Sequence, residues 1–275
     1  MLRTNKRYLV LGSTGLVGSA FSNLYRKSII TAGRNNCDYK LDLTVKDQIE
    51  EIIGRAPADV VINFAAYTNV DEAEKQKGSL KSPPYILNVK SPVWLAKACR
   101  QYHKHFIHIS TDYVFDGKQE NRPYSETDPA KPVNSWYCQT KRLGEIGVEK
   151  TFGKDIGWAI IRISFPYANY YKRKLDIARA VIDKLEKRHI YYGVIDEKIK
   201  PTHVNKISRA VNLVASKRTG GIYHVAGDWP GGFISPFDFA KKIAAEHNLN
   251  VSLIKPITFK KFLEGRIAPR PQHTW

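Results

Sequence analysis

The chain has 275 residues, 43% of them hydrophobic, enough for one large α/β domain or a domain with a smaller appendage. No apolar run approaches the roughly 18 residues that cross a bilayer, the start Leu2-Arg3-Thr4-Asn5-Lys6-Arg7 lacks a secretory signal, and Cys37, Cys99 and Cys138 are odd in number and scattered, so a reduced, cytoplasmic protein without disulfides or zinc is expected. The net charge of +18 comes with no nucleic-acid motif and no block of five or six basic residues, so it reads as a solvated basic surface or one suited to a phosphate-bearing ligand.

Arg7 to Leu11 is a short apolar run, read as a buried strand. It enters Gly12-Ser13-Thr14-Gly15-Leu16-Val17-Gly18 and then an amphipathic helix to about Tyr25. Strand, glycine turn and helix place backbone N–H groups and a helix N-terminus against a pyrophosphate. In that reading Gly12 makes the tight turn, Gly15 lets the ligand approach, and Gly18 packs helix on strand. A second strand, 28–32, ends at Gly33-Arg34, and no acid follows before Asp38. An acid there would hold the adenosine 2′-hydroxyl, whereas an arginine accommodates a 2′-phosphate. Arg34 therefore favours NADPH, with NADH as the alternative.

Asp42-Leu43 leads to a helix over 44–55, with Thr44 as N-cap and Asp47 at the capping-box position. A third strand over 58–64 ends in Ala65-Ala66-Tyr67-Thr68, small residues that suit a backbone lying close to a ligand. Residues 75–84 read as a loop, followed by a helix over 86–102 that carries Asn88. The fourth strand, 105–110, runs into Ser110-Thr111-Asp112. His103 precedes it, and His105 and His108 face opposite sides of it, so no metal site is expected.

After a proline-rich loop over 117–135 comes Tyr137-Cys138-Gln139-Thr140-Lys141. Residues at i and i+4 share a helix face, so phenol and ammonium project together. The ammonium is expected to lower the phenol pKa and make it a general acid near neutral pH. Tyr170 and Lys174 have the same spacing; the glycine turn and the Ser110-Thr111-Asp112 strand end single out Tyr137 and Lys141. A fifth strand over 158–163, a helix over 175–188, a strand over 221–226 and a helix over 236–247, capped by Ser235 with proline at its first position, complete the pattern. Alternating strands and helices imply an α/β fold with a doubly wound, mostly parallel Rossmann sheet. The expected division is a dinucleotide-binding domain over 1–162 and, over 163–275, a smaller substrate-binding lobe with some elements returning to the sheet.

Several stretches together resemble the extended short-chain dehydrogenase/reductase family, and within it the dTDP-4-dehydrorhamnose reductases. They are the glycine turn, 63–74, Ile109-Ser110-Thr111-Asp112-Tyr113-Val114-Phe115-Asp116-Gly117, 123–128, 137–145, Pro201-Thr202, 221–224 and Arg270-Pro271. The Ser-Thr-Asp-Tyr-Val-Phe stretch is far more specific than the glycine motif.

The resemblance implies NADPH-dependent reduction of the 4-keto group of a 4-dehydro-6-deoxy sugar nucleotide, dTDP-4-dehydro-L-rhamnose to dTDP-L-rhamnose. It implies that Thr111 polarises the ketone, Tyr137 protonates the alkoxide, and Lys141 holds the nicotinamide ribose and tunes the tyrosine. Asp112 matches a substrate contact. Gly12, Thr14 to Gly18, Asp42, Leu43 and Ala65 to Thr68 fall on the cofactor side. Three positions depart from the pattern. Cys138 stands where relatives have glycine. Phe165 stands where bacterial relatives often have a substrate-contacting tryptophan. Ala20 stands near a glutamate of some relatives' intersubunit metal site, so that dimer is not expected; a monomer or another homodimer is. Two other readings share these motifs: a non-catalytic NADP-binding subunit like the methionine adenosyltransferase β subunit, and a related epimerase or epimerase–reductase.

Overall fold

The computed structural model describes residues 7–275. The segment 2–6, read as lacking a secretory signal, lies outside the described residues. The first half builds β1 (Tyr8–Leu11), α1 (Leu16–Leu24), β2 (Ile29–Gly33), β3 (Tyr39–Lys40), α2 (Lys46–Arg55), β4 (Val60–Asn63) and α3 (Val70–Glu74). Then follow α4 (Pro83–Tyr85), a π-helical turn (Ile86–Lys90), α5 (Ser91–Gln101), β5 (His105–Thr111), α6 (Trp136–Phe152) and β6 (Trp158–Ile163). The second half holds β7 (Pro166–Tyr167), α7 (Ile177–Glu186), β8 (Tyr191–Val194), β9 (Lys198–Ile199), β10 (Thr202–His203) and α8 (Val204–Lys217). It closes with β11 (Gly221–Val225), α9 (Pro236–Glu246), β12 (Ile254–Ile257), α10 (Phe259–Leu263) and β13 (His273–Thr274).

Seven strands form one sheet in the order β11-β6-β5-β4-β1-β2-β3, and every pairing in it is parallel. Parallel strands need both faces covered, and β1 and β4 are accordingly apolar and buried along their length. On one face Val17 and Phe21 of α1 pack with Ile207 and Val211 of α8. On the other, Ile49 and Ile53 of α2 pack with Leu95 of α5 and Val148 of α6. A separate core joins α7, α9 and β12 through Val181, Phe239 and Ile254. Strand order reverses between β1 and β4, so their carboxyl ends open a crevice of the kind where such sheets bind ligands.

Several boundaries differ from expectation. Thr44 does not cap α2. The Asp42 carboxylate accepts from both the Thr44 N–H and its hydroxyl, at 2.9 and 2.8 Å, so helix begins only at Lys46. The Gln48 side chain reaches back to the Asp42 N–H instead. The helix after the 75–84 loop starts at Pro83, proline being favoured in the first turn, and it carries a π turn around Asn88. The helix α8 and the short strands of the second half have no counterpart in the sequence reading.

The tail crosses from the second half back to the first. Arg270 forks onto Asp71 of α3, with Nη1–Oδ1 3.1 Å and Nη2–Oδ2 2.9 Å. Asp71 also accepts from the Ile267 and Ala268 N–H groups. Further on, His273 N–H donates to Gly117 O, and Trp275 O accepts from the Tyr124 N–H.

Candidate active site

The glycine turn sits at the carboxyl end of β1. Gly12 has φ +74, and a Cβ there would lie 2.6 Å from the Ala65 N. A Cβ on Gly18 would lie 2.2 Å from Gly12 O, so Gly18 is the residue that lets α1 press on the turn. Gly15 precedes α1, whose first turn has no side-chain cap; the N–H groups of Leu16, Val17 and Gly18 thus make a ready anion site. The Tyr171 hydroxyl, from the second half, donates to Thr14 O at 2.9 Å.

Arg34 follows β2 and lies near enough to Asp42 to act on its charge. The Asp42 carboxyl is held low, first by the Thr44 N–H and also by Arg34. Asp38 turns back onto β2, accepting from the Thr31 N–H and hydroxyl, both at 2.8 Å. At the end of β4, Asn63 Oδ1 accepts from the Ala65 N–H at 3.0 Å. Ala66, Tyr67 and Thr68 continue that edge. Asn88, fully buried in the π turn, accepts from Tyr67 N–H at 2.8 Å and donates to Tyr67 O at 3.1 Å and Thr140 Oγ1 at 3.2 Å. Its neighbour on the helix, Ser91, donates to Leu43 O. One helix thus holds both backbone edges expected on the cofactor side.

Across β5, Thr111 donates to Asp112 Oδ1 at 3.0 Å, and Ser164 donates to Asp112 Oδ2 at 2.8 Å. Burial pushes the Asp112 carboxyl up to about 6, against the hydrogen bonds from Ser164 and Thr111 that lower it. Tyr137 and Lys141 lie on α6, whose first turns are held by Trp136 and Cys138 packing on Ala73. The Thr111 side chain lies near enough to the Tyr137 phenol to lower its pKa against burial, and the Tyr113 ring meets it edge-on, centroids 6.2 Å apart.

The expected direction of the phenol shift is corrected by this geometry. Burial raises the Tyr137 pKa, and Lys141 is not among the charges acting on it. The Lys141 Nζ turns away toward β5, donating to Ile109 O at 2.8 Å with His108 Nε2 at 3.3 Å. Burial brings Lys141 down to about 8, Glu145 opposing. Below it, Glu145 is fully buried and receives Arg162 Nε and Nη2 at 3.0 and 2.8 Å.

Phe165 has φ +37, an uncommon conformation for a side chain of its size. Its ring stands edge-on to Tyr113 at 5.9 Å. Such backbone outliers gather where structure over-determines a site. Glu197 is a buried acid that the sequence reading passed over. Burial and then the Asp112 charge push it up to about 8. Asn63, Asn88 and His108 were noticed in the sequence but given no part in the site. Their signal is a polar residue inside an otherwise apolar strand or helix face, visible only once partners are known. Among the described residues no cluster could hold a metal ion, and no helix is long and apolar enough to cross a membrane.

The arrangement offers a glycine cradle with helix N–H groups on one side of the crevice, and a phenol, a hydroxyl and a carboxyl on the other. Comparison with known proteins gives the family. The family model "RmlD substrate binding domain" matches residues 6–275. The chain is 30% identical to a dTDP-4-dehydrorhamnose reductase of Mycobacterium tuberculosis, over 100% of this chain and 86% of that one. It is 30% identical to another from Aggregatibacter actinomycetemcomitans, over 98% and 89%. Among solved structures, the Bacillus anthracis dTDP-4-dehydrorhamnose reductase in complex with NADP superposes with TM-score 0.85 at 27% identity, covering 98% of this chain and 89% of that one.

Proposed function

Since the chain belongs to the RmlD substrate binding domain family, we propose that it is an NADPH-dependent reductase of the 4-keto group of a 4-dehydro-6-deoxy sugar nucleotide, converting dTDP-4-dehydro-L-rhamnose to dTDP-L-rhamnose. The observation that carries this reading is the buried phenol of Tyr137 on α6 set beside Thr111 at the carboxyl end of β5, with Lys141 one turn along the same helix.

The residues fit a dinucleotide. The close approach of Gly12 to Ala65 and the uncapped start of α1 leave backbone N–H groups for a pyrophosphate. Arg34 suits a 2′-phosphate, and Asp38, already engaged with Thr31, does not compete for a ribose hydroxyl. Asp42, Leu43 and Ala65 to Thr68 would line the same crevice. NADPH supplies the hydride that reaches the carbonyl carbon.

Thr111 orients the carbonyl oxygen through its hydroxyl. Tyr137, kept protonated by burial, gives its proton to that oxygen as negative charge develops. A raised phenol pKa suits a group that must arrive protonated. Asp112 and Phe165 are assigned to the sugar, and the part of the chain up to residue 162 to the dinucleotide, with residues 163–275 mainly serving the substrate. All of these groups come from one chain, consistent with a monomer or a homodimer with one site per subunit. The reduced cysteines Cys37, Cys99 and Cys138 suit the cytoplasm.

The test is loss of NADPH absorbance on adding the dTDP 4-keto-6-deoxy sugar, with wild type beside Tyr137→Phe. Turnover lost in the variant while NADPH still binds supports the reading. Tight NADPH binding by wild type without any turnover would reject it in favour of the non-catalytic subunit.

A further inference from the structure

Beneath Lys141 four polar groups form a closed chain whose donors and acceptors can be counted. Asn63 Oδ1 accepts from the Ala65 N–H at 3.0 Å, which fixes the orientation of the amide. Asn63 Nδ2 therefore faces His108 Nδ1, at 3.3 Å. An amide nitrogen only donates, so His108 Nδ1 must accept, and in a neutral imidazole the proton then sits on Nε2. His108 is fully buried. Burial alone holds it below the ordinary imidazole range, so a doubly protonated ring is disfavoured. The Nε2–H points at Lys141 Nζ, 3.3 Å away. An ammonium has no lone pair to receive it, but an amine has one, with hydrogens left for Ile109 O at 2.8 Å. Every alternative places two donors face to face. If the imidazole proton moved to Nδ1 it would face the Asn63 amide hydrogens. If the amide flipped, its hydrogens would face the Ala65 N–H.

We propose that His108 is a positioning residue that presents its Nε2–H to the lone pair of Lys141, so that the ligand-free site favours the neutral amine over the ammonium and the lysine gains its proton when a ligand draws it from the strand. The charged and titratable groups around it are consistent with this. On its own helix Tyr137 is a neutral phenol, and Glu145 is neutralised by Arg162 from β6 and by Arg142. From the turn after β5, Asp112 is itself raised by burial. Resting on the reductase reading, this means the lysine arrives at the nicotinamide ribose by gaining a proton, and cofactor binding is coupled to proton uptake.

The tautomer is tested without turnover. Nitrogen-15 NMR of histidine-labelled, ligand-free protein reads the protonation of both His108 nitrogens, assigned by His108→Gln. The expected result is a bare Nδ1 and a protonated Nε2 from pH 6 to 8, with an Nε2 shift that changes in Lys141→Met. If His108→Gln does not fold, Lys141→Met identifies the same resonance. A protonated Nδ1, or an imidazolium, overturns the proposal.

The coupling is tested by NADPH titration from pH 6 to 10. In wild type the affinity is expected to fall up to tenfold per pH unit once the ligand-free Lys141 has lost its proton, and to level off where Lys141 in the complex loses its own, with proton uptake on binding detectable between the two as buffer-dependent heat. In His108→Gln, where an amide oxygen can accept from the ammonium, uptake at pH 8 is expected to fall by at least half. Equal uptake in the two proteins overturns the coupling. A bare Nδ1 and normal uptake in a protein that never turns over the sugar would leave this proposal standing and the reductase reading rejected.

Discussion

Asn88 offers the sharpest test of how the site is held. It is fully buried, and its one amide holds Tyr67 N–H, Tyr67 O and the Thr140 hydroxyl. Asn88→Ala strips partners from all three. Thr140 keeps a bond, because its hydroxyl donates to Tyr137 O at 2.9 Å. Tyr67 loses both of its polar backbone partners. An unsatisfied buried group costs about 1–3 kcal/mol, and Tyr67 is only partly buried, so water relieves some of the loss. The expected destabilisation is about 2–3 kcal/mol, or a drop of roughly 5–10 °C in Tm for a protein of this size. The loosened edge should also weaken NADPH binding about tenfold or more, since a shift of roughly 1.4 kcal/mol suffices for that. Differential scanning fluorimetry and a fluorescence titration would measure both. A Tm within about 1 °C of wild type together with unchanged NADPH affinity would refute the idea that this amide organises the crevice edge.

Three further outcomes are expected. Gly144→Ala would put a Cβ 2.1 Å from Asn88 O, so α6 must retreat from the π turn; overpacking of this kind costs about 1–3 kcal/mol, and kcat should fall more than Tm alone explains. Arg270→Leu removes the fork on Asp71, whose carboxyl, although burial raises it, is brought down to about 2 by the hydrogen bond from Arg270 together with the Ala268 N–H. Its folded pKa is depressed, so this stability is present above the unfolded carboxylate value and lost as pH falls through about 2. The wild-type advantage in urea melts should be about 1 kcal/mol at pH 7, since the Ala268 N–H remains and solvent screens the pair, and shrink steadily below pH 4. Asp112→Asn should remove an acid limb near pH 6 from kcat/KM if the ionised carboxyl binds the sugar, because burial places its titration there.

The strands of the sheet were legible because parallel, doubly covered strands are written as short unbroken apolar runs, as in Tyr8–Leu11 and Val60–Asn63. The crevice was legible because Gly12 and Gly18 occupy positions where a Cβ would strike backbone. The second half was not. Its strands β7, β9, β10 and β13 are two residues long, too short to carry a period, and β13 finds β9 from 75 positions away, as His273 lies opposite Lys198. The helix α8 did carry a period, with Val204, Ile207, Val211 and Val214 buried on one face, and could have been read. The sequence also misled on the phenol. A shared helix face brings Tyr137 and Lys141 to the same side, but a long flexible side chain goes where an acceptor awaits it, and for Lys141 that is the Ile109 carbonyl.

The Asp71–Arg270 fork joins residues 199 positions apart. A contact of that span closes only after both halves have assembled, since the entropy of so large a loop must be overcome first. Its free energy is therefore expected in the rate of opening rather than of folding, so Arg270→Leu should speed unfolding and leave the refolding rate unchanged. On that expectation the tail is a latch, one that sets how long the two halves stay together once they have met.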